Sequence, residues 1–405
     1  MTLFGLDEAV VVPLVRAIAG EELSEGEAGD RFARASWTGI AEPGDRTAGE
    51  LVGALGAGAA LAAVIEHWSV ERIAGTLAEA GVIVRLDEIR AALERWEPRL
   101  KAAIALTALR QAARFRVQLL VPGDPVWPAG FDDLGEYAPI GLWLRGNRST
   151  LETLPTSIAL VGARAATGYG EHVTMEASAG LVDRGYTIVS GAAYGIDGMA
   201  HRAALASSGQ TVAFLAGGVD RFYPSGHDAL LTRIVETGAV VSELPCGSPP
   251  TKWRFLQRNR LIAASSLATV VLEAGWRSGS LNTAGHAGTL GRPLGAVPGP
   301  VTSAASAGCH RLIREFAAVC VTNADEMAEL APLRPLSSAP DSRAEGDRLP
   351  ERGRVLDAMS SRSPRSVVDI AGRCGLSVAT VTAVLGAIEL EGFASESDRE
   401  WNRRR

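Results

Sequence analysis

Ile158-Ala159-Leu160-Val161-Gly162-Ala163-Arg164, with Gly168-Tyr169-Gly170 just after it, decides how this chain folds. Four apolar residues run into a glycine, and a segment with helical spacing follows. The same grammar returns at Ser190-Gly191-Ala192-Ala193-Tyr194-Gly195-Ile196-Asp197 and at Ala216-Gly217-Gly218-Val219-Asp220. Further on come Arg258-Asn259-Arg260, Glu273, Ser278-Gly279-Ser280 and Pro298-Gly299. Most of these blocks close a short apolar run and open a helical one. That is the pattern of a parallel α/β sheet with glycine-lined turns at the carboxyl ends of its strands. Such turns aim backbone N–H groups and helix N-termini outward, where they hold anions. The sequence advertises a phosphate-reading face.

Working outward, strands are expected at Ser157–Val161, Thr187–Ser190, Thr211–Leu215, Ala239–Ser242, Thr269–Glu273 and Pro293–Val297, with a short one at Val319–Thr322. Helical segments separate them, near 170–184, 196–208, 228–237, 258–266, 281–290 and 311–316. Repeated β–α alternation with short connections specifies a Rossmann-like, doubly wound parallel sheet. This core is expected over residues 116–330. Its entry segment carries Pro122, Pro125, Pro128 and Pro139, then the apolar strand Ile140–Leu144, and is expected to wrap the sheet edge.

The 405 residues allow two or three domains. Residues 1–30 hold one apolar patch, Val10–Ile18, and an acidic Gly/Glu stretch, and read as a loosely attached, disorder-prone extension. Residues 31–115 read as a helical domain. Leu86, Ile89, Leu93 and Trp96 share one helix face, Pro98 ends that helix, and Gly53, Gly56 and Gly58 break the run from Glu50 to Ile65. Residues 331–352 are rich in Pro, Ser, Asp and Arg and read as a linker. Residues 353–405 read as a winged helix, with helical pieces at 354–359, 366–374 and 377–390 and a wing starting near Gly392. Its second helix of the helix–turn–helix carries no Lys or Arg, which points to protein contact rather than duplex DNA.

Apolar residues make up 47% and charged residues 21%, as in an ordinary globular protein. The net charge is −6, so any nucleic-acid binding must come from a local basic patch. Cys246, Cys309, Cys320 and Cys374 are scattered without a CxxC pair, which fits a reduced compartment and no structural zinc. The N-terminus has no basic n-region, and Leu51–Ile65 is too short and too rich in Ala and Gly to span a bilayer. A cytoplasmic protein is expected. No HExxH, EF-hand or Walker A pattern occurs, so neither metal nor cofactor is expected.

The strongest chemical signal is Lys252-Trp253-Arg254-Phe255-Leu256-Gln257-Arg258-Asn259-Arg260. It places four positive charges and two aromatics in nine residues, and no acid occurs between Leu244 and Leu272. Cations interleaved with rings suit a flexible single strand, whose phosphates pair with the cations while its bases stack. Stacking is worth roughly 1–3 kcal/mol per base. The bland alternative is a solvated loop whose aromatics plug the core. Arg164 either forks onto a phosphate or pairs with an acid such as Asp197. Glu273 is a general base or, by preference, an acceptor that orders the turn at the next helix. Ser278, Ser280 and Thr283 read as caps or phosphate contacts, and His201 as a bond back to its own loop.

With these residues assembled, the chain resembles the DprA (Smf) family of DNA-processing proteins. The matching motifs are Val161-Gly162-Ala163-Arg164 with Tyr169-Gly170, Ser190 through Asp197 with His201, and Gly217-Gly218-Val219-Asp220 with Tyr223-Pro224. Ser242-Glu243, Phe255, Gln257-Arg258-Asn259-Arg260-Leu261-Ile262, Glu273, Ser278-Gly279-Ser280 and Val297-Pro298-Gly299 continue the match. The resemblance implies a SAM-like helical domain, a Rossmann-like core and a winged helix. It also implies single-stranded DNA binding, delivery of the strand to the RecA recombinase in natural transformation, and a homodimer formed through the core. The implied DNA contacts are Gly162, Arg164, Lys252, Phe255, Arg258, Asn259, Arg260, Ser278, Gly279 and Ser280. Ala163 stands where the family usually has serine, Leu256 where proline is common, and Pro224-Ser225-Gly226-His227 lacks a basic residue that some members carry there. The alternative from another class is a nucleotide-binding or nucleotide-hydrolysing Rossmann-like enzyme or sensor. Against it, the Pro-Gly-Gly-x-Gly-Thr-x-x-Glu signature of phosphoribohydrolases is missing; Glu273-Ala274-Gly275-Trp276-Arg277-Ser278-Gly279 is the nearest string.

Overall fold

A computed structural model describes residues 4–20, 23–333, 350–361, 363–397 and 400–403. The chain divides into two compact units, Met1–Leu333 and Arg334–Arg405. Most of the stretch expected as a linker, residues 334–349, lies outside the described residues.

The first unit begins with seven helices: α1 (Glu8–Ala19), α2 (Glu25–Ile40), α3 (Arg46–Leu55), α4 (Ala57–Ile65), α5 (Val70–Glu79), α6 (Leu86–Trp96) and α7 (Ala102–Phe115). Ser24 and Glu27 close a capping box at the start of α2. The break expected within 50–65 falls at Gly56, whose φ of 81° suits glycine, and the chain turns by 113° there. Trp37 and Trp96 meet edge-to-face at 5.1 Å inside the bundle.

α1 departs from the expected loose extension. Asp7 caps it, and Val11, Val15 and Ile18 are buried in one cluster with Phe32, Trp37, Trp143, Leu215 and Val240. The apolar spacing i, i+4, i+7 gives this helix a face that pays off only when docked. The apolar patch was visible in the sequence, but the residues it packs against were not.

The core sheet has nine strands in the order β1-β2-β6-β5-β4-β3-β7-β8-β9. The edge strands β1 (Gln118–Leu120) and β2 (Leu142–Gly146) are antiparallel, and β2 pairs antiparallel with β6. β1 was not anticipated. The parallel portion runs β3 (Ser157–Gly162), α8 (Gly168–Asp183), β4 (Thr187–Ser190), α9 (Ile196–Ala206), β5 (Thr211–Phe214), α10 (Asp228–Thr237) and β6 (Ala239–Ser242). It continues with α11 (Lys252–Ser265), β7 (Ala268–Glu273), α12 (Ser280–Thr289), β8 (Leu294–Ala296), α13 (Ala307–Glu315), β9 (Val319–Cys320) and α14 (Ala324–Glu329). Alternate side chains of β3 serve opposite faces. Ile158 and Leu160 pack with Ala177, Leu181 and Ala200 on one side; Ala159 and Val161 pack with Leu261, Ile262 and Leu312 on the other. This is the Rossmann-like α/β core expected from the alternation.

One helix differs in a way that matters. α11 starts at Lys252, six residues before the helix expected near 258, because Thr251 caps it and accepts from the Arg254 N–H at 3.3 Å. The basic run is helical, not a flexible loop.

The second unit holds α15 (Pro350–Ala358), β10 (Arg365–Ser366), α16 (Val367–Cys374), α17 (Val378–Leu390), β11 (Ala394–Ser397) and β12 (Glu400–Arg403). Gly375, at φ 66°, and the Ser377 cap make the tight turn between α16 and α17. The strands form an antiparallel β10-β12-β11 sheet, and Val355, Ile370, Val381, Leu385 and Trp401 form the core of a winged helix.

Among the described residues no single helix is long and apolar enough to cross a membrane. Docking of α1 has a direct consequence: Ile18→Ala should cost about 2–5 kcal/mol, because a fully buried side chain leaves a cavity. Urea unfolding of the full chain measures it, and an unchanged midpoint would show that α1 is not part of the core.

Candidate nucleic-acid interface

β3 lies between β4 and β7, so the chain leaves the sheet in opposite directions on its two sides. Ligands of open α/β sheets bind at such a switch point, outside the carboxyl ends of the strands. A cleft of about 1060 Å³ opens there. Its floor is the Val161–Ala165 turn, and its walls come from α11, the β7–α12 turn, Tyr223 and Ala304-Ala305.

The floor is shaped by what glycine permits. A Cβ on Gly162 would stand 2.5 Å from Ile196 Cγ1, and one on Gly191 would overlap the Arg258 guanidinium. At Gly162 the β3–β7 register slips by one residue, and the Ala163 N–H donates to the Glu273 carbonyl at 2.7 Å. Glu273 itself is buried. Its carboxylate accepts from the Thr167 N–H at 2.9 Å and the Thr167 hydroxyl at 2.7 Å, while Thr167 caps α8. Glu273 thus orders a turn, but the turn is that of α8, across the sheet, and not that of α12.

Nine of the ten implied contact residues line the cleft: Gly162, Arg164, Lys252, Phe255, Arg258, Asn259, Ser278, Gly279 and Ser280. Arg164 lies over the Phe255 ring at 4.8 Å and makes no ion pair among the described residues. It does not pair with Asp197, whose carboxylate instead accepts from the N–H groups of Gly191 (3.2 Å) and Ala193 (3.4 Å). Burial pushes Asp197 up, opposed by Arg258 and these N–H donors. Burial also pulls Arg258 down to about 10, which leaves it charged at neutral pH. Arg258 donates to the Phe214 carbonyl and lies 5.8 Å from the Phe255 ring centroid. Asn259 holds Asn282 Oδ1 at 3.1 Å and so ties α11 to α12. Ser278 and Ser280 share a 2.8 Å bond at the open N-terminus of α12, whose first turn carries no acid.

Arg260 is the exception. Its guanidinium is 3% exposed and forks onto Glu243 with two 2.6 Å bonds, outside the cleft. Arg254 likewise forks onto Glu42 at 2.8 and 2.9 Å. The reason is helical phase. Lys252, Phe255, Leu256, Asn259 and Ile262 recur at the spacing of one helix face, and Arg254 and Arg260 fall off it. His201 also turns away. It is fully buried, meets Thr211 Oγ1 at 2.7 Å rather than its own loop, and is held neutral by burial, which lowers its pKa to about 3.

Among the cleft residues not read from the sequence as contacts are Tyr223, Trp276 and Arg277. The signal available for the last two was an aromatic–arginine pair inside a turn between an expected strand and an expected helix. Among the described residues no group of three or more His, Cys, Asp or Glu is placed to hold a metal ion. The sorting of cations is testable by stability alone. Arg260→Ala strands a buried Glu243 and should cost about 3–5 kcal/mol. Lys252→Ala, on the exposed side of α11, should change stability by no more than about 0.5 kcal/mol. Equal losses in thermal unfolding would contradict the division.

Comparison with known proteins agrees with this architecture. A family model described as DNA recombination-mediator protein A matches residues 118–332, and a DprA winged helix domain model matches residues 338–397. A putative DNA processing protein DprA of Mycobacterium tuberculosis is 46% identical over 297 residues, 70% of this chain and 76% of that one. Protein Smf of Escherichia coli is 39% identical over 212 residues, 52% of this chain and 56% of that one. The X-ray structure of DNA processing protein A from Streptococcus pneumoniae superposes with a TM-score of 0.59 at 27% identity, covering 78% of this chain and all of that one. The chain belongs to the DprA/Smf family of DNA-processing proteins.

Proposed function

We propose that this protein binds single-stranded DNA in the switch-point cleft and hands the strand to the RecA recombinase, acting in the cytoplasm as a homodimer through its core. One observation carries the reading: the cleft concentrates positive charge in a molecule of net charge −6. Arg164, Lys252, Arg258 and Arg277 line it against a single acid, Asp197, and Tyr223, Phe255 and Trp276 supply rings. Cations of this kind draw phosphates by releasing counterions, without reading sequence. The glycine floor and the open α12 N-terminus add N–H donors for the same groups. The recombination-mediator description of the family supports the handover to RecA.

A binding role fits the cleft better than hydrolysis. Asp197 is engaged by backbone N–H groups and Glu273 by Thr167, so neither carboxylate is placed as a general base.

The test is a gel-shift series with single-stranded and duplex DNA of one sequence across salt concentrations. Single strands should bind tighter than duplex. An R164A/K252A variant should lose at least about tenfold in affinity, and its salt slope should flatten by about 1.4 for two lost phosphate contacts. It should also fail to speed RecA assembly on the strand. Unchanged binding by that variant would overturn the reading.

A further inference from the structure

Phe255 is the aromatic that the sequence offers as a platform for bases, yet its surroundings are occupied. Arg164 lies 4.8 Å and Arg258 5.8 Å from its ring centroid, and the Tyr223 ring packs at 5.7 Å. A ring face covered by guanidinium is closed to a base. Phe255 is half-buried and shares its ring with these neighbours, so it offers less open surface than an unshared ring.

Trp276 is placed differently. It follows Gly275 in the β7–α12 turn, lines the same cleft and is 55% exposed. Arg311 of α13 covers one indole face at 5.0 Å. That arginine is itself held by Glu315 at 2.8 Å and lies 5.3 Å from the Phe316 ring. The indole is therefore braced on one face while half of its surface remains open. Next to it, Arg277 is exposed and makes no ion pair among the described residues.

We propose that Trp276 is a nucleobase subsite of the cleft: one unpaired base lies on its open face, and Arg277 takes an adjoining phosphate. This rests on the single-strand reading above and adds to it the residue that recognises a base. Stacking on one braced ring tolerates any base, because each has a π-face. It also disfavours duplex, whose bases already stack on one another. The subsite thus supplies a preference for single strands that cations alone cannot.

The test uses fluorescence anisotropy on the full chain with two labelled probes, an oligothymidylate and a strand of equal length made of abasic sites. Wild type should prefer the base-bearing strand. W276A should bind that strand about tenfold more weakly, bind the abasic strand as wild type does, and so lose the preference. W276F should recover most of it. R164A/K252A should weaken on both probes. If W276A keeps the wild-type preference for bases while R164A/K252A still loses affinity, the subsite is wrong and single-strand binding stands. If wild type binds neither probe, both readings fall.

Discussion

The architecture depends on a close approach between two strand ends. β3 and β7 run side by side until Val161, and there the register slips because Gly162 has no side chain to keep Ile196 and the Glu273 carbonyl apart. The slip lets Glu273 turn its carboxylate back across the sheet to Thr167. One buried acid therefore secures the cap of α8, the floor of the cleft and the end of β7. Burying that carboxylate is tolerable because it accepts two strong bonds. A side chain at Gly170 would strike the same carboxylate at 2.4 Å, so the last glycine of the opening motif answers to Glu273 as well. The motif's spacing records a packing constraint.

Charge in this protein is sorted rather than merely gathered. Arginines that face the helical layer are matched by carboxylates: Arg254 by Glu42, Arg260 by Glu243. For Glu42, burial alone would raise the carboxyl, but its bonds to Arg254 and Arg99 win and hold it below the usual range. Arg254–Glu42 ties α11 to the N-terminal helical layer, and Arg260–Glu243 ties it to the end of β6. Arg164, Lys252 and Arg277, which face the cleft, have no such partners among the described residues. Pairing one set leaves the field of the other uncompensated, which is how a net-negative molecule presents a positive crevice.

Much of this was legible in the sequence, and the gaps have physical causes. Strand–turn–helix repeats exposed the sheet, since short apolar runs ending in glycine leave few alternatives. The winged helix was legible from the Gly375 turn and the Ser377 cap. α1 was not, because its apolar face from Val11 to Ile18 has meaning only against Trp37 and Trp143, which lie far along the chain. Trp276 was passed over because composition cannot distinguish an exposed ring from a buried one. Arg260 was misplaced because a run of cations reads as a patch until its backbone conformation is known.

That last point governs how the basic run works. As a loop, Lys252 to Arg260 would offer four cations to any neighbour in any order. As a helix begun by Thr251, it can turn only one face to the cleft, and that face carries Lys252, Phe255 and Asn259. Off that face, Arg254 and Arg260 anchor the helix. Rigidity follows: the proposed strand would meet cleft residues whose backbone positions are already set by the helix, and the Lys252–Arg260 run would not have to be ordered on binding. The entropy of arranging these backbone positions is met during folding, by ion pairs that lie off the cleft. Weakening Arg260–Glu243 would therefore weaken the cleft without changing any residue in it.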